Sequence, residues 1–379
     1  GGSTTPSGSS GLLLSLILSV SPDSRLPQRY RLATPFFRAI VAEMGTGNDI
    51  EKPLAAWAEA HFGAGAELKA LKRLSGGASQ ETWAFEVSAG AVTHPLILRR
   101  APGGVAVARS SEAVSLATEA ELLGATTKAG VRVPAVLHVS PPGSALGEAF
   151  VMRRVAGETL GRKILRDDEY KLARTRLTKD CGAALAGIHA VPLEGLTALP
   201  RSLGGDQIAK YEMIYRSYEM PRPVLELAFA WLKANAPAPA APVLVHGDFR
   251  LGNLIVDEEG LGAVLDWELA HVGDPREDIA WLCVNSWRFG HSEKRVGGFG
   301  DLPELLDAYA SAGGARFTPA EIDWWEILGS LKWGVMCMTM YAAYKTGADP
   351  SVERAAIGRR VSENEIDLIN LFEGLGRHA

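Results

Sequence analysis

A chain of 379 residues with 47% apolar and 22% charged residues is built to fold, and its length leaves room for two lobes or domains. That composition excludes intrinsic disorder and collagen-like structure. With 39 Lys+Arg against 44 Asp+Glu the net charge is −5, so nothing draws the chain as a whole to nucleic acid or to an anionic membrane. Cys181, Cys283 and Cys337 are widely spaced and form no CxxC pair, which suggests neither a disulfide framework nor a zinc site and fits a reducing cytoplasm.

Residues 1–22 read as a flexible tail or a cloning scar, because the stretch to Gly11 is rich in Gly, Ser, Thr and Pro. The apolar run from Leu12 to Val20 is about ten residues long, where a bilayer span takes about twenty. No basic residue precedes it and no Ala-type cleavage site follows, which argues against export. Residues 23–64 form a helical leader, with apolar residues at helical spacing over 35–44 and 50–62.

Residues 65–155 read as a β-β-β-α-β-β lobe. Three β-prone runs, 71–74, 82–87 and 95–99, precede a helix over 111–128, and strand character returns at 131–138 and 149–155. Residues 156–379 are mostly helical; Leu177, Cys181, Leu185 and Ile188 share one helix face. Inside this part lies a β island, 243–245, 253–256 and 263–265, introduced by the Ala-Pro tract 234–242. Helices resume at Pro275, and over 322–344 Trp324, Leu328, Leu331, Val335 and Met338 form a core stripe. The fold class is α+β in two lobes, the first small and mainly β, the second larger and mainly α.

The chemistry is concentrated in His246-Gly247-Asp248-Phe249-Arg250-Leu251-Gly252-Asn253 and in Leu265-Asp266-Trp267-Glu268 on the next strand end. An Asp, an Asn five positions on, and a second Asp beyond a short hairpin repeat the spacing of a kinase catalytic loop and its metal-binding Asp. Phosphoryl transfer needs one carboxylate beside the acceptor hydroxyl and a separate oxygen cluster holding Mg²⁺ against the phosphates. Asp248 is the candidate base, Asn253 and Asp266 are the candidate metal ligands, and Arg250 is placed to meet the γ-phosphate of ATP. Any one of these Asp residues taken alone reads as a turn residue; the constellation reads as a site.

Through HGDFRLGNLIVD and LDWELAHVGDPREDIAWL the chain resembles the aminoglycoside phosphotransferase family, small-molecule relatives of the protein kinases, over roughly residues 65–350. The strings are most similar to the branch associated with acyl-CoA dehydrogenases. The resemblance implies a protein-kinase-like fold, ATP and Mg²⁺ as cofactors, and a small-molecule alcohol as acceptor. Ser75, Gly76, Gly77, Ala78 and Ser79 then stand where a glycine loop approaches the ATP phosphates. Arg99 lines up with the phosphate-contacting lysine, with Arg100 the alternative if the register is off by one, and Glu119 is its helix partner. Met152 falls at the hinge beside the adenine edge, and Asp278 is a buried support of the catalytic loop, whereas His189 and His246 read as structural. A hydroxyacyl-CoA is the expected acceptor, on the dehydrogenase-associated resemblance and on the aromatic and Met-rich composition after Ala280. An aminoglycoside or other antibiotic and a choline-type alcohol remain open as acceptors. So does a catalytically silent nucleotide-binding module, which the missing strand lysine encourages.

Overall fold

A computed structural model of the chain describes residues 48–74, 80–104, 113–141 and 143–375. The expected helix over 35–44, the tail 1–22 and the glycine-rich turn 75–79 lie outside the described residues. Helix α1 (Asn48–Phe62) buries Ile50, Leu54 and Ala58, spaced four apart, against one face of an antiparallel sheet. The sheet contains β1 (Glu67–Arg73), β2 (Glu81–Ala89), β3 (Val92–Arg100), β4 (Val136–Ser140) and β5 (Ala149–Arg153) in the order β1-β2-β3-β5-β4. Alternation sorts its side chains: Trp83, Phe85, Val87, Leu96 and Leu98 meet α1, while Ala84, Ile97 and Met152 turn to the opposite face and join the core of the helical part.

Helix α2 (Leu116–Lys128) starts later than its periodicity suggests, because Ser115 takes the N-cap and accepts from Thr118 N at 3.1 Å. Strand β4 also starts later than expected, since Pro134 has no N–H to give a ladder. The helical part holds α3 (Gly161–Arg166), α4 (Lys171–His189), α5 (Gly204–Ser217) and α6 (Pro223–Ala234), then α7 (Arg276–Cys283), α8 (Leu302–Ser311), α9 (Pro319–Thr346), α10 (Val352–Gly358) and α11 (Val361–Leu375). The expected stripe on α9 is core, with each of its five residues at most 5% exposed.

Between α6 and α7 the expected single β island is two separate ladders. Strand β6 (Val243–Val245) pairs with β9 (His271–Gly273), and β7 (Leu254–Val256) pairs with β8 (Leu261–Val264). The three-residue strand β9 carries no alternation to betray it and exists because it pairs with β6. The two ladders bring residues 246–253 and 265–268 side by side.

Candidate active site

Three anchors fix the loop that follows β6. The buried Asp278 carboxylate on α7 accepts from His246 N (2.8 Å) and Gly247 N (2.9 Å), and it also meets His189 Nε2 at 3.2 Å. Gly247 sits at φ +82°, and a Cβ there would run into the Leu269 carbonyl, so the turn admits only glycine without strain. The His246 ring is the third anchor: its Nδ1 lies 3.2 Å from Asp248 N and its Nε2 3.0 Å from the Leu265 carbonyl. A backbone N–H only donates and a carbonyl only accepts, so the neutral ring carries its proton on Nε2 and ties this loop to the strand end before Asp266. Asp278, His189 and His246 thus hold the places expected of supporting residues.

Asp248 stands at the head of this scaffold with its carboxylate between three donors. Oδ1 accepts from Trp281 Nε1 at 2.7 Å, Oδ2 from Asn253 Nδ2 at 2.6 Å, and Arg250 Nε reaches both oxygens at 3.0 and 3.2 Å. Arg250 also lies over the Trp287 ring, 4.8 Å from its centroid. Its Nη atoms have no hydrogen-bond partner among the described residues.

A second cluster forms where β3 passes α2 and the end of β8. Arg99 Nη2 lies 3.4 Å from Glu119 Oε2 and 3.1 Å from Asp266 Oδ1. Burial opposes the charge on Arg99, and the Glu119 and Asp266 carboxylates outweigh it, so the guanidinium stays firmly protonated. Arg100 points the other way, donating to the Leu146 carbonyl at 2.8 Å and pairing with Glu81 at 3.5 Å. Asp266 adopts φ +67°, the left-handed region that side chains other than glycine enter at a cost, as is common where a site dictates backbone shape.

Two residues the sequence does not flag complete the arrangement. Gln80 accepts from Arg99 Nε at 2.7 Å and donates to Glu119 Oε1 at 2.7 Å and Glu268 Oε2 at 3.3 Å, locking the second cluster together. Trp281 is the other; its place three residues after Asp278 puts both on the face of α7 toward the loop. Met152 departs from the hinge expectation. Arg154 N donates to the Pro95 carbonyl at 3.0 Å, and the same register sets Met152 opposite Ile97 two residues along. Antiparallel alternation then turns both backbone groups of Met152 into β3, leaving only its side chain, beside Ala84 and Ile97, on the face toward the helical part.

Among the described residues no group of three or more His, Cys, Asp or Glu side chains is arranged to hold a metal ion, and no helix is long and apolar enough to cross a membrane. All three cysteines are buried free thiols.

A small antiparallel sheet joined to a helical part, with an Asp-x₄-Asn loop and an Asp strand end between them, is a protein-kinase-like fold. The model of the family described as "Phosphotransferase enzyme family" matches residues 70–325, more than half the chain, and the chain belongs to that family. That membership places the chain among phosphotransferase enzymes. Among solved structures, a Ralstonia eutropha protein named provisionally as an aminoglycoside phosphotransferase superposes with a TM-score of 0.67 at 20% identity, covering 85% of this chain and 98% of that one. The GDP complex of aminoglycoside 2′-phosphotransferase-IIIa gives a TM-score of 0.59 at 16% identity, over 84% and 99% of the two chains. Mouse acyl-CoA dehydrogenase family member 10 is 31% identical over 50% of this chain and 18% of its own length. The chain spans from 18% to 40% of the length of the curated relatives it matches.

Proposed function

We propose that this enzyme moves the γ-phosphoryl group of ATP, bound with Mg²⁺, onto a hydroxyl of an acyl chain carried as a coenzyme A thioester. The observation that carries the reaction is the Asp248 carboxylate, held by three donors and only 16% exposed, in a loop bonded through His246 to the strand end of Asp266. Asp248 accepts the hydroxyl proton as the acceptor oxygen bonds to the γ-phosphorus and the bond from that phosphorus to ADP breaks. Arg99 meets the α- and β-phosphates, and the Arg250 Nη groups offset charge on the γ-phosphoryl oxygens. Glu119 and Gln80 hold Arg99 in place. The Met152 side chain would pack against the adenine of a bound nucleotide, and backbone beyond Arg154 would supply its polar contacts.

The donor set fits Mg²⁺. Asn253 spends its amide nitrogen on Asp248, which leaves its carbonyl oxygen, and Asp266 adds a carboxylate whose side chain is 34% exposed. A hard cation of this kind takes one or two protein oxygens and completes its shell with phosphate and water, so a site with few carboxylates suffices. Bound there, it neutralises phosphate charge.

The acyl thioester reading rests on the acyl-CoA dehydrogenase names of the curated relatives and on the aromatic surroundings of Asp248. Trp281 and Trp287 lie 5.4 Å apart between ring centroids, and Trp287 and Trp333 4.9 Å. Such a wall suits an alkyl chain better than a polycation, which calls for carboxylates. ATP consumption measured with hydroxyacyl-CoAs of differing hydroxyl position, aminoglycosides and choline in one buffer tests the choice. Turnover of an aminoglycoside or choline with every thioester refused would overturn it.

A further inference from the structure

The segment 285–289 has two sides. On one, Trp287 stacks under Arg250, whose Nε holds Asp248. On the other, Ser286 and Phe289 line a hollow of about 1150 Å³ closed by α3, α10 and α11. That volume lies at the upper end of ligand sites, large enough for a bulky group rather than one small ion.

The hollow has a surplus of unpaired positive charge. Of its three arginines, Arg360 is matched by Glu363 at 2.9 Å. Arg162 on α3 and Arg359 just after α10 have no hydrogen-bond or ion-pair partner for their side chains among the described residues. The remaining acid, Asp367, accepts from Asn285 at 2.7 Å and pairs with neither arginine.

We propose that this hollow is a subsite for the phosphate-bearing end of the acceptor, with Arg162 and Arg359 as its charged ligands. The inference rests on the acyl thioester reading and extends it. With the hydroxyl at Asp248 and the chain passing Trp287, the carrier's phosphates fall to arginines approaching from two separate elements, whose planar forks suit phosphate oxygens.

Calorimetric titration of the parent and of the R162E/R359E double variant with coenzyme A, and separately with hexanoate, tests the subsite without turnover. Thermal melting confirms that the variant is folded, and R162A and R359A repeat the comparison should charge reversal disturb folding. The expected result is coenzyme A affinity weakened about tenfold or more in the double variant, since each lost charged hydrogen bond is worth roughly that factor, with hexanoate binding unchanged. Equal coenzyme A affinity in parent and variants, or no binding to the parent, overturns the subsite. Loss of hexanoate binding alone overturns the phosphate assignment in favour of a carboxylate. Arginine-dependent binding of coenzyme A by a parent that phosphorylates no thioester would leave the subsite standing and remove the acceptor reading.

Discussion

Asp248 draws its donors from three places: Arg250 two residues on, Asn253 five residues on, and Trp281 on α7. Held this way, the carboxylate is aimed at one point and has little freedom to swing, which is what a base needs when the acceptor oxygen must arrive in line with the γ-phosphorus. Asp248→Asn keeps the side chain's size and removes its basicity. Its kcat is expected to fall by about 10²–10⁴-fold while calorimetric affinity for ATP is retained. A kcat within about threefold of the parent would take Asp248 out of the chemistry. Trp281→Phe is a milder probe because it deletes one hydrogen bond and keeps most of the packing. A bond to a charged group is worth about 1.5–3 kcal/mol, so kcat should drop roughly ten- to a hundredfold with KM for ATP unmoved. A parallel rise in KM for ATP would instead indicate a general loosening of the helical part.

At the scale of elements, alternation along β3 separates two adjacent arginines into different roles. Arg99→Ala should weaken ATP binding by about tenfold or more, whereas Arg100→Ala should lower the melting temperature, since Arg100 serves Glu81 and the Leu146 carbonyl. The reverse pattern would assign the phosphates to the opposite face of the strand. The sequence makes Arg99 legible because a short β-prone run points consecutive side chains to opposite faces, and the 246–253 loop is legible because its residues are contiguous. Gln80, Trp281 and strand β9 are not legible in that way, since each acquires its place from a partner 19 or more residues distant in the chain. The same holds for Gln207, Glu277 and Lys332, which with His271, six residues before Glu277, form a buried network joining β9 and α5 to α7 and α9. Burial opposes the charge on Glu277, yet Lys332 and His271 hold its carboxyl far below the ordinary 4.5; burial likewise opposes charge on His271, and Glu277 holds the imidazole above 6.5. The depressed carboxyl adds stability above pH 4.5 that is lost as pH falls below it. The raised imidazole adds stability below pH 6.5 that is lost as pH rises through its folded value. Denaturant titrations should therefore show this contribution greatest between pH 4.5 and 6.5, and Glu277→Gln should flatten both limbs at a cost of about 3–5 kcal/mol. A variant with the parent's pH profile would remove the network as its source.

Across the whole molecule the sheet and the helical part are not independent bodies. Ala84, Ile97, Leu122, Phe150 and Met152 belong to the same core cluster as Leu185, Phe229 and Leu328, so the inner face of the sheet is buried by the helical part. The polar seam between them runs through the site: Arg99 meets Asp266 at 3.1 Å, Val114 N donates to the Glu268 carbonyl at 2.9 Å, and Gln80 reaches Glu268. Nucleotide bound at this seam, as proposed, would touch both parts and stabilise the whole fold by mass action, by about 2.7 kcal/mol when present at about a hundred times its dissociation constant. For a chain of this size that corresponds to a rise in melting temperature of about 3 °C. On the proposed reading, part of the rise would belong to the cation, because Asp266 would offer a carboxylate to Mg²⁺, and an amide in its place is a weaker ligand for a hard ion. Melting curves with a non-hydrolysable ATP analogue, with and without Mg²⁺, isolate that part as an increment within each protein, so the baseline change from losing one partner of Arg99 cancels. In the parent, Mg²⁺ should add about a degree or more to the shift seen with nucleotide alone; in Asp266→Asn the nucleotide shift should remain, and the Mg²⁺ increment should shrink and return only at higher metal concentration. An undiminished increment in the variant would place the cation on other oxygens and leave Asp266 as a partner of Arg99 alone.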